Sequence, residues 1–341
     1  MQQEQTQVNQ NVDVAESETF QNKLQLRQTF KQYLGSLGLL IVIIAFCIVL
    51  SMMSPVFLTK VNLINLLMQS TILVTLALGV TFVIITGGID LSVGAVMAVS
   101  SAIGLGLIVY NGMPVIVGVL VMILIGAAFG LINGLLVTRL YLSPLIVTLA
   151  TMGIARGIVL IYTNSANVNP VPTSFVTLAS GSFLTIPYLI IVVALLALIA
   201  HIILKHTVFG RSVYASGGNE LAARLSGVRT KSIVTLTYVI SGITAAIGGL
   251  LLTARLESAG PTAGTGLELT VIAAVVIGGT SLFGGQGNIL GTILGVILIS
   301  LVSNAINLLG VPPAWDSLVT GSVILVAALL DVYRRKFLIS S

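Results

Sequence analysis

The sequence predicts an all-α membrane protein of about ten transmembrane helices with both termini in the cytoplasm. Three observations carry that expectation. Of 341 residues, 56% are hydrophobic and only 7% are charged, against about 25% charged in ordinary soluble domains, and the mean hydropathy is +1.12. The apolar residues fall in long unbroken runs, such as 37–50 and 189–200, not in the roughly ten-residue alternating segments of a membrane β-barrel. The cations, finally, sort to one side once the runs are threaded through a bilayer. This composition excludes a soluble enzyme, a disordered chain and a nucleic-acid-binding domain.

Residues 1–22 carry no Lys or Arg and are rich in Gln, Asn and Glu. A secretory leader would open on a basic region and a short apolar core, so this stretch reads as a polar, disordered tail. Residues 23–36 mix Lys23, Arg27 and Lys31 with Leu24, Leu26 and Phe30, the pattern of an amphipathic helix on the cytoplasmic surface. A single transmembrane domain follows over 37–335, with a short tail at 336–341. Its runs suggest spans at 37–54, 62–86, 92–110, 114–138, 143–162, 186–204, 232–253, 268–283, 288–309 and 316–333. With the N-terminus inside, twelve Lys and Arg are cytoplasmic, only Lys60 and Arg255 are external, and Arg156 lies within a span. That is the positive-inside pattern.

The outer connection at 163–185 is uncharged, with Pro170 and Pro172, and reads as an ordered cap or short surface helix. The inner connection at 205–231 is the longest cytoplasmic one and holds much of the internal charge. Glycines at four-residue spacing, Gly126, Gly130 and Gly134, then Gly287, Gly291 and Gly295, point to close helix packing. Gly87-Gly88-Ile89-Asp90-Leu91 also recurs loosely as Gly278-Gly279-Thr280-Ser281-Leu282.

Chemistry-bearing residues are few. No glycine run leads into Gly-Lys-Ser or Gly-Lys-Thr, so a phosphate-binding P-loop is missing from the sequence. The single cysteine, Cys47, excludes an intramolecular disulfide, and with His201 and His206 far from it no metal site is expected. Catalysis within the chain is therefore not expected. Asp90 admits two readings: a conformational or pathway element, or a carboxylate capping the 92–110 helix in a tight inner turn. Arg156 is costly within a span unless paired or wetted, and is either structural or in contact with a solute. Ser92 adjoins Asp90. Asn65, Asn133, Asn304 and Asn307 could line a path for an uncharged hydroxylated solute or join helices to one another.

The inner connection contains Gly217-Gly218-Asn219-Glu220-Leu221-Ala222-Ala223-Arg224-Leu225-Ser226-Gly227. It reads as a short helix with Asn219 as cap, Glu220 suited to its N-terminus and Gly227 as its stop. Glu220 and Arg224 are four apart in the favourable order. Such a helix suits either a lever for an external motor or a plain solvated loop.

Three blocks then resemble the ribose-type branch of sugar ABC-transporter permeases. The first is Gly87-Gly88-Ile89-Asp90-Leu91-Ser92-Val93-Gly94. The second is Ala215-Ser216-Gly217-Gly218-Asn219-Glu220 with Ala223-Arg224-Leu225-Ser226-Gly227. The third runs from Pro261 through Glu268 to Leu282. The resemblance covers about 37–335. It implies a monosaccharide importer subunit of the bacterial plasma (inner) membrane, with ribose as the sugar. It further implies a homodimer, a cytoplasmic ATPase with two nucleotide-binding modules, and an external solute-binding protein. Residues 219–226, flanked by Gly217, Gly218 and Gly227, become the coupling helix. No cofactor is expected in this chain, since ATP and Mg would sit on the partner ATPase. A stand-alone sugar facilitator or carrier, and a membrane scaffold or sensor, are the competing classes.

Overall fold

The computed structural model describes residues 37–312 together with 314, 315, 317–319, 321, 322, 325, 326 and 329. Both tails and the surface helix expected at 23–36 lie outside the described residues, as does most of the span expected at 316–333. Helices in chain order are α1 (Leu37–Met53), α2 (Lys60–Ile85), α3 (Val93–Val109), α4 (Val115–Arg139), α5 (Pro144–Thr163), α6 (Thr173–Ser180), α7 (Tyr188–His206), α8 (Val208–Gly218), α9 (Glu220–Leu225), α10 (Thr230–Leu256), α11 (Leu267–Ile277) and α12 (Ile289–Leu308). A two-residue antiparallel pair, Ser182–Phe183 with Ile186–Pro187, completes the connection between α5 and α7 beside α6.

Among the described residues, six helices (α2, α4, α5, α7, α10 and α12) are long and apolar enough to cross a membrane; α1, α3 and α11 are shorter apolar helices. Sequence determines which of these sit in the middle. α2 and α3 are apolar on every side, and a helix hydrophobic all round belongs in a core. They are buried along most of their length. α4 is apolar too, but splits its faces. Gly126, Gly130, Asn133 and Gly134 are buried, while Leu120, Leu124 and Leu131 are exposed and suit lipid.

The buried glycine face of α4 meets α10. A Cβ on Gly126 would lie 2.2 Å from Gly242 O, one on Gly130 2.2 Å from Tyr238 O, and one on Gly242 2.0 Å from Gly126 O. The two backbones touch along this seam, which small residues alone permit. The second expected ladder is only partly helical. Gly291 and Gly295 pack α12 on Gly278 and Ala274, whereas Gly287 lies before the helix, in the turn.

The span expected at 268–283 is corrected. α11 has 11 residues, about 16 Å at 1.5 Å per residue, half of what a bilayer core of about 30 Å requires. It stops at Gly278-Gly279, where Gly279 takes φ +91°. Gly279 N–H donates to Val276 O (2.9 Å) and Thr280 N–H to Val275 O (3.2 Å). The end of α2 repeats this closure: Gly87 takes φ +80°, Gly87 N–H donates to Ile84 O (2.8 Å) and Gly88 N–H to Val83 O (3.0 Å). Both are glycine C-terminal stops of the same kind. The equivalence pairs Gly87 with Gly279 and Gly88 with Thr280, one residue out of step with the sequence repeat. The loop that follows the α11 stop also meets the end of α2, Gly285 N–H donating to Ile85 O at 2.8 Å.

Candidate functional site

Three features collect the candidate residues. The first is the connection between α7 and α10, which holds two helices where one was expected. α8 is capped by Thr207, whose hydroxyl accepts from Gly210 N–H (3.1 Å), and it ends on Gly217 and Gly218, so these glycines close α8 and do not belong to the following helix. α9 begins after Asn219, whose Oδ1 accepts from Ala222 N–H at 3.0 Å. Gly227 takes φ +86°, and Val228 N–H returns to Ala223 O (3.0 Å). Ala223 is buried, while Leu221 and Leu225 are 62% and 81% exposed. Two adjacent bare leucines one helical turn apart form an apolar ridge on a charged helix.

The pair is fastened to the bundle at both ends. The partner the structure gives Glu220 is Thr230, whose hydroxyl donates to Oε1 (3.3 Å) at the start of α10. Tyr214 of α8 donates to Gly287 O (2.7 Å). Lys231 Nζ donates to the Tyr141 hydroxyl and stands 4.4 Å over its ring. That cation holds the Tyr141 phenol below its ordinary pKa. Gly217 lies directly on α2: a Cβ there would fall 1.8 Å from Ile85 O and 2.8 Å from Gly285 N. So α8 touches both the end of α2 and the Gly284-Gly285 turn that precedes α12.

The second feature is a polar knot inside the bundle. Asp90 is buried. Its Oδ1 accepts from Ser92 N–H (2.9 Å) and Ser92 Oγ (2.6 Å), and its Oδ2 accepts from Ser241 Oγ (2.7 Å) near the middle of α10. Asn133 Nδ2 donates to Ser92 Oγ (2.9 Å). The knot ties the α2–α3 break to α4 and α10. The knot sits in the connection between α2 and α3, where Asp90 satisfies Ser92 N–H at the head of α3. Carboxylates buried among apolar helices are tolerated when hydrogen-bonded this fully.

The third feature surrounds Arg156. Past the midpoint of α5, its Nη1 donates to Pro261 O (2.8 Å) and Ala263 O (2.7 Å), and Glu268 acts on it electrostatically. The irregular segment between α10 and α11 is thus pinned inside the bundle.

The remaining asparagines do not gather. Asn65 and Asn307 are exposed near helix ends. Asn304 pairs reciprocally with Asn62, at 2.9 and 3.2 Å, fixing the end of α12 to the start of α2. Asn62 and Ser241 were not among the sequence candidates. Their polarity inside apolar stretches was the available signal.

A family model described as "Branched-chain amino acid transport system / permease component" matches residues 62–328. The chain belongs to this permease family. It is similar to the ribose import permease protein RbsC of Bacillus subtilis, with 44% identity covering 92% of this chain and 97% of the relative. Against the ribose import permease protein RbsC of Escherichia coli K12 the identity is 41%, covering 87% and 92%. Against the D-allose transport system permease protein AlsC of the same strain it is 36%, covering 87% and 90%. No solved structure matches the chain. Membership of this permease family and the apolar helices make the chain a multi-pass membrane protein.

Proposed function

We propose that the chain is the membrane-spanning subunit of an ATP-driven importer for a monosaccharide, ribose, in the bacterial plasma (inner) membrane. It works as a homodimer with a cytoplasmic ATPase of two nucleotide-binding modules and an external solute-binding protein. Each copy crosses the membrane ten times with both termini inside, α11 and the segment before it forming one irregular crossing. ATP and Mg belong to the ATPase. The observation that carries this reading is the 44% identity to a ribose import permease along 97% of that relative. Specificity within the sugars rests on the higher identity to ribose than to allose permeases.

In this account α9 is the coupling helix. The Leu221 and Leu225 ridge seats in an apolar groove of the ATPase, and movement of α9 passes through α8 to the backbone contact of Gly217 with α2. The rigid caps of α9 suit it to transmit force without fraying. The path alternates between outer and inner openings, and the binding protein supplies affinity, so weak polar contacts along the path suffice. Affinity purification from the native membrane in mild detergent, followed by mass spectrometry, tests the assembly. A stoichiometric partner with tandem P-loops is expected. A chain that elutes alone, under conditions that keep known complexes intact, favours a stand-alone facilitator.

A further inference from the structure

Resting on that reading, we propose that the irregular segment between α10 and α11, with Arg156 and Glu268, lines the aqueous path and contacts the hydroxyls of a neutral polyhydroxylated solute. Depth is the first argument. α5 has 20 residues, about 30 Å, which matches the hydrocarbon thickness. Arg156 lies past its midpoint and bonds Pro261 O and Ala263 O, so these carbonyls lie well within the bundle's height. Gly264 packs the same segment onto the first turns of α3, for a Cβ on it would meet Met97 Cε at 2.4 Å and Gly94 O at 2.8 Å.

Exposure is the second argument. Thr262, Thr265 and Gly266 are exposed at this level. Non-helical backbone at membrane depth is tolerated only where protein buries it or water bathes it, because hydrocarbon satisfies no N–H or C=O. Lipid is thereby excluded from this face.

The donor and acceptor set names the solute class. Glu268 Oε1 accepts from Gly266 N–H (3.2 Å), while Oε2 is buried without a hydrogen-bond partner, close to where a Cβ on Gly94 would lie (2.7 Å). Arg156 uses Nη1 alone among the described residues, which leaves the rest of its five-donor fork available. Unused donors and an unused acceptor of opposite charge therefore stand together. A hydroxyl both donates and accepts, so a polyol satisfies both. The two charges offset each other, which disfavours an ionic solute.

The test uses the assembled importer in membranes with Cys47→Ser as parent. Thr265→Cys is compared with Leu124→Cys, on the exposed face of α4, using a membrane-impermeant methanethiosulfonate reagent with and without ATP. The Thr265→Cys site is expected to react about tenfold faster in one nucleotide state, because water reaches it, and more slowly when ribose and the binding protein are present. Equal rates in every state overturn the proposal. So does a spontaneous disulfide between two copies with no labelling, which would mark a closed protein interface. Glu268→Gln and Thr265→Ala should each lower ribose uptake several-fold while chain amount and ATPase stimulation hold; unchanged uptake in both overturns the solute contact. ATP-dependent uptake by the parent is the separate check on the importer reading.

Discussion

Gly217 offers a matched test of the link between the inner helices and the bundle. Alanine there places a Cβ 1.8 Å from Ile85 O, 2.8 Å from Gly285 N and 2.9 Å from Ile85 C. The closest of these is about 1.6 Å inside the 3.4 Å limit of ordinary contact. Both partners are backbone, and the Ile85 carbonyl is itself held by Gly285 N–H at 2.8 Å. No flexible side chain can swing away. Overpacking of this kind costs about 1–3 kcal/mol where side chains give way, and a backbone clash belongs at or above the upper end. Gly218 is the control, since a Cβ there meets nothing within 4 Å. Both residues end α8, so each alanine substitution brings a similar helix-propensity gain of about 0.5–1 kcal/mol. Their difference isolates the clash. In detergent-purified protein Gly217→Ala should lower the apparent Tm and Gly218→Ala should leave it unchanged or raise it. In proteoliposomes Gly217→Ala should lose most uptake while the assembled ATPase still turns over. Equal behaviour of the two variants in both assays would refute the contact and the transmission role built on it.

Further predictions rest on other contacts. Ser241→Ala removes one of three hydrogen bonds to buried Asp90 and should destabilise the chain by about 1–3 kcal/mol, read as a lower midpoint in thermal unfolding. Asn219→Ala deletes the α9 cap and should cost that helix about 0.5–2 kcal/mol, seen as weaker ATPase stimulation with the chain still in the membrane. Gly242→Leu, at the α4–α10 seam where even a Cβ would sit 2.0 Å from Gly126 O, should abolish recovery of folded chain from detergent. The double reversal Glu220→Lys with Arg224→Glu should impair uptake while membrane insertion, checked by fractionation, stays normal.

Much of this was legible from residue types alone. The Gly126, Gly130 and Gly134 spacing announced a close seam, though not that α10 supplies its other side. Asn219 and Gly227 announced the ends of α9, because cap chemistry is local. Hydropathy failed where backbone conformation decides. The apolar run past Ile277 reads as a continuing span, but Gly279 at φ +91° turns the chain before leucine and phenylalanine resume. α8 was hidden because its mixed composition looks like loop in a charged connection, and tertiary contacts with α2 and α7 secure it. Asn62 and Asn65 share the first two turns of α2, and contacts with Phe57 O and α12 bury the first of them. The repeat slipped by one residue because matching Gly-Gly to Gly-Gly is not matching the glycine that carries positive φ.

The central claim is that this permease moves sugar only when a separate ATPase drives it. Proteoliposomes containing the purified chain, with and without the ATPase, the ribose-loaded binding protein and MgATP, test it directly through accumulation of labelled ribose. The account predicts accumulation only in the complete mixture, lost when ATP is withheld. Equilibration of ribose by the chain alone, at the rate of the complete mixture, would contradict it.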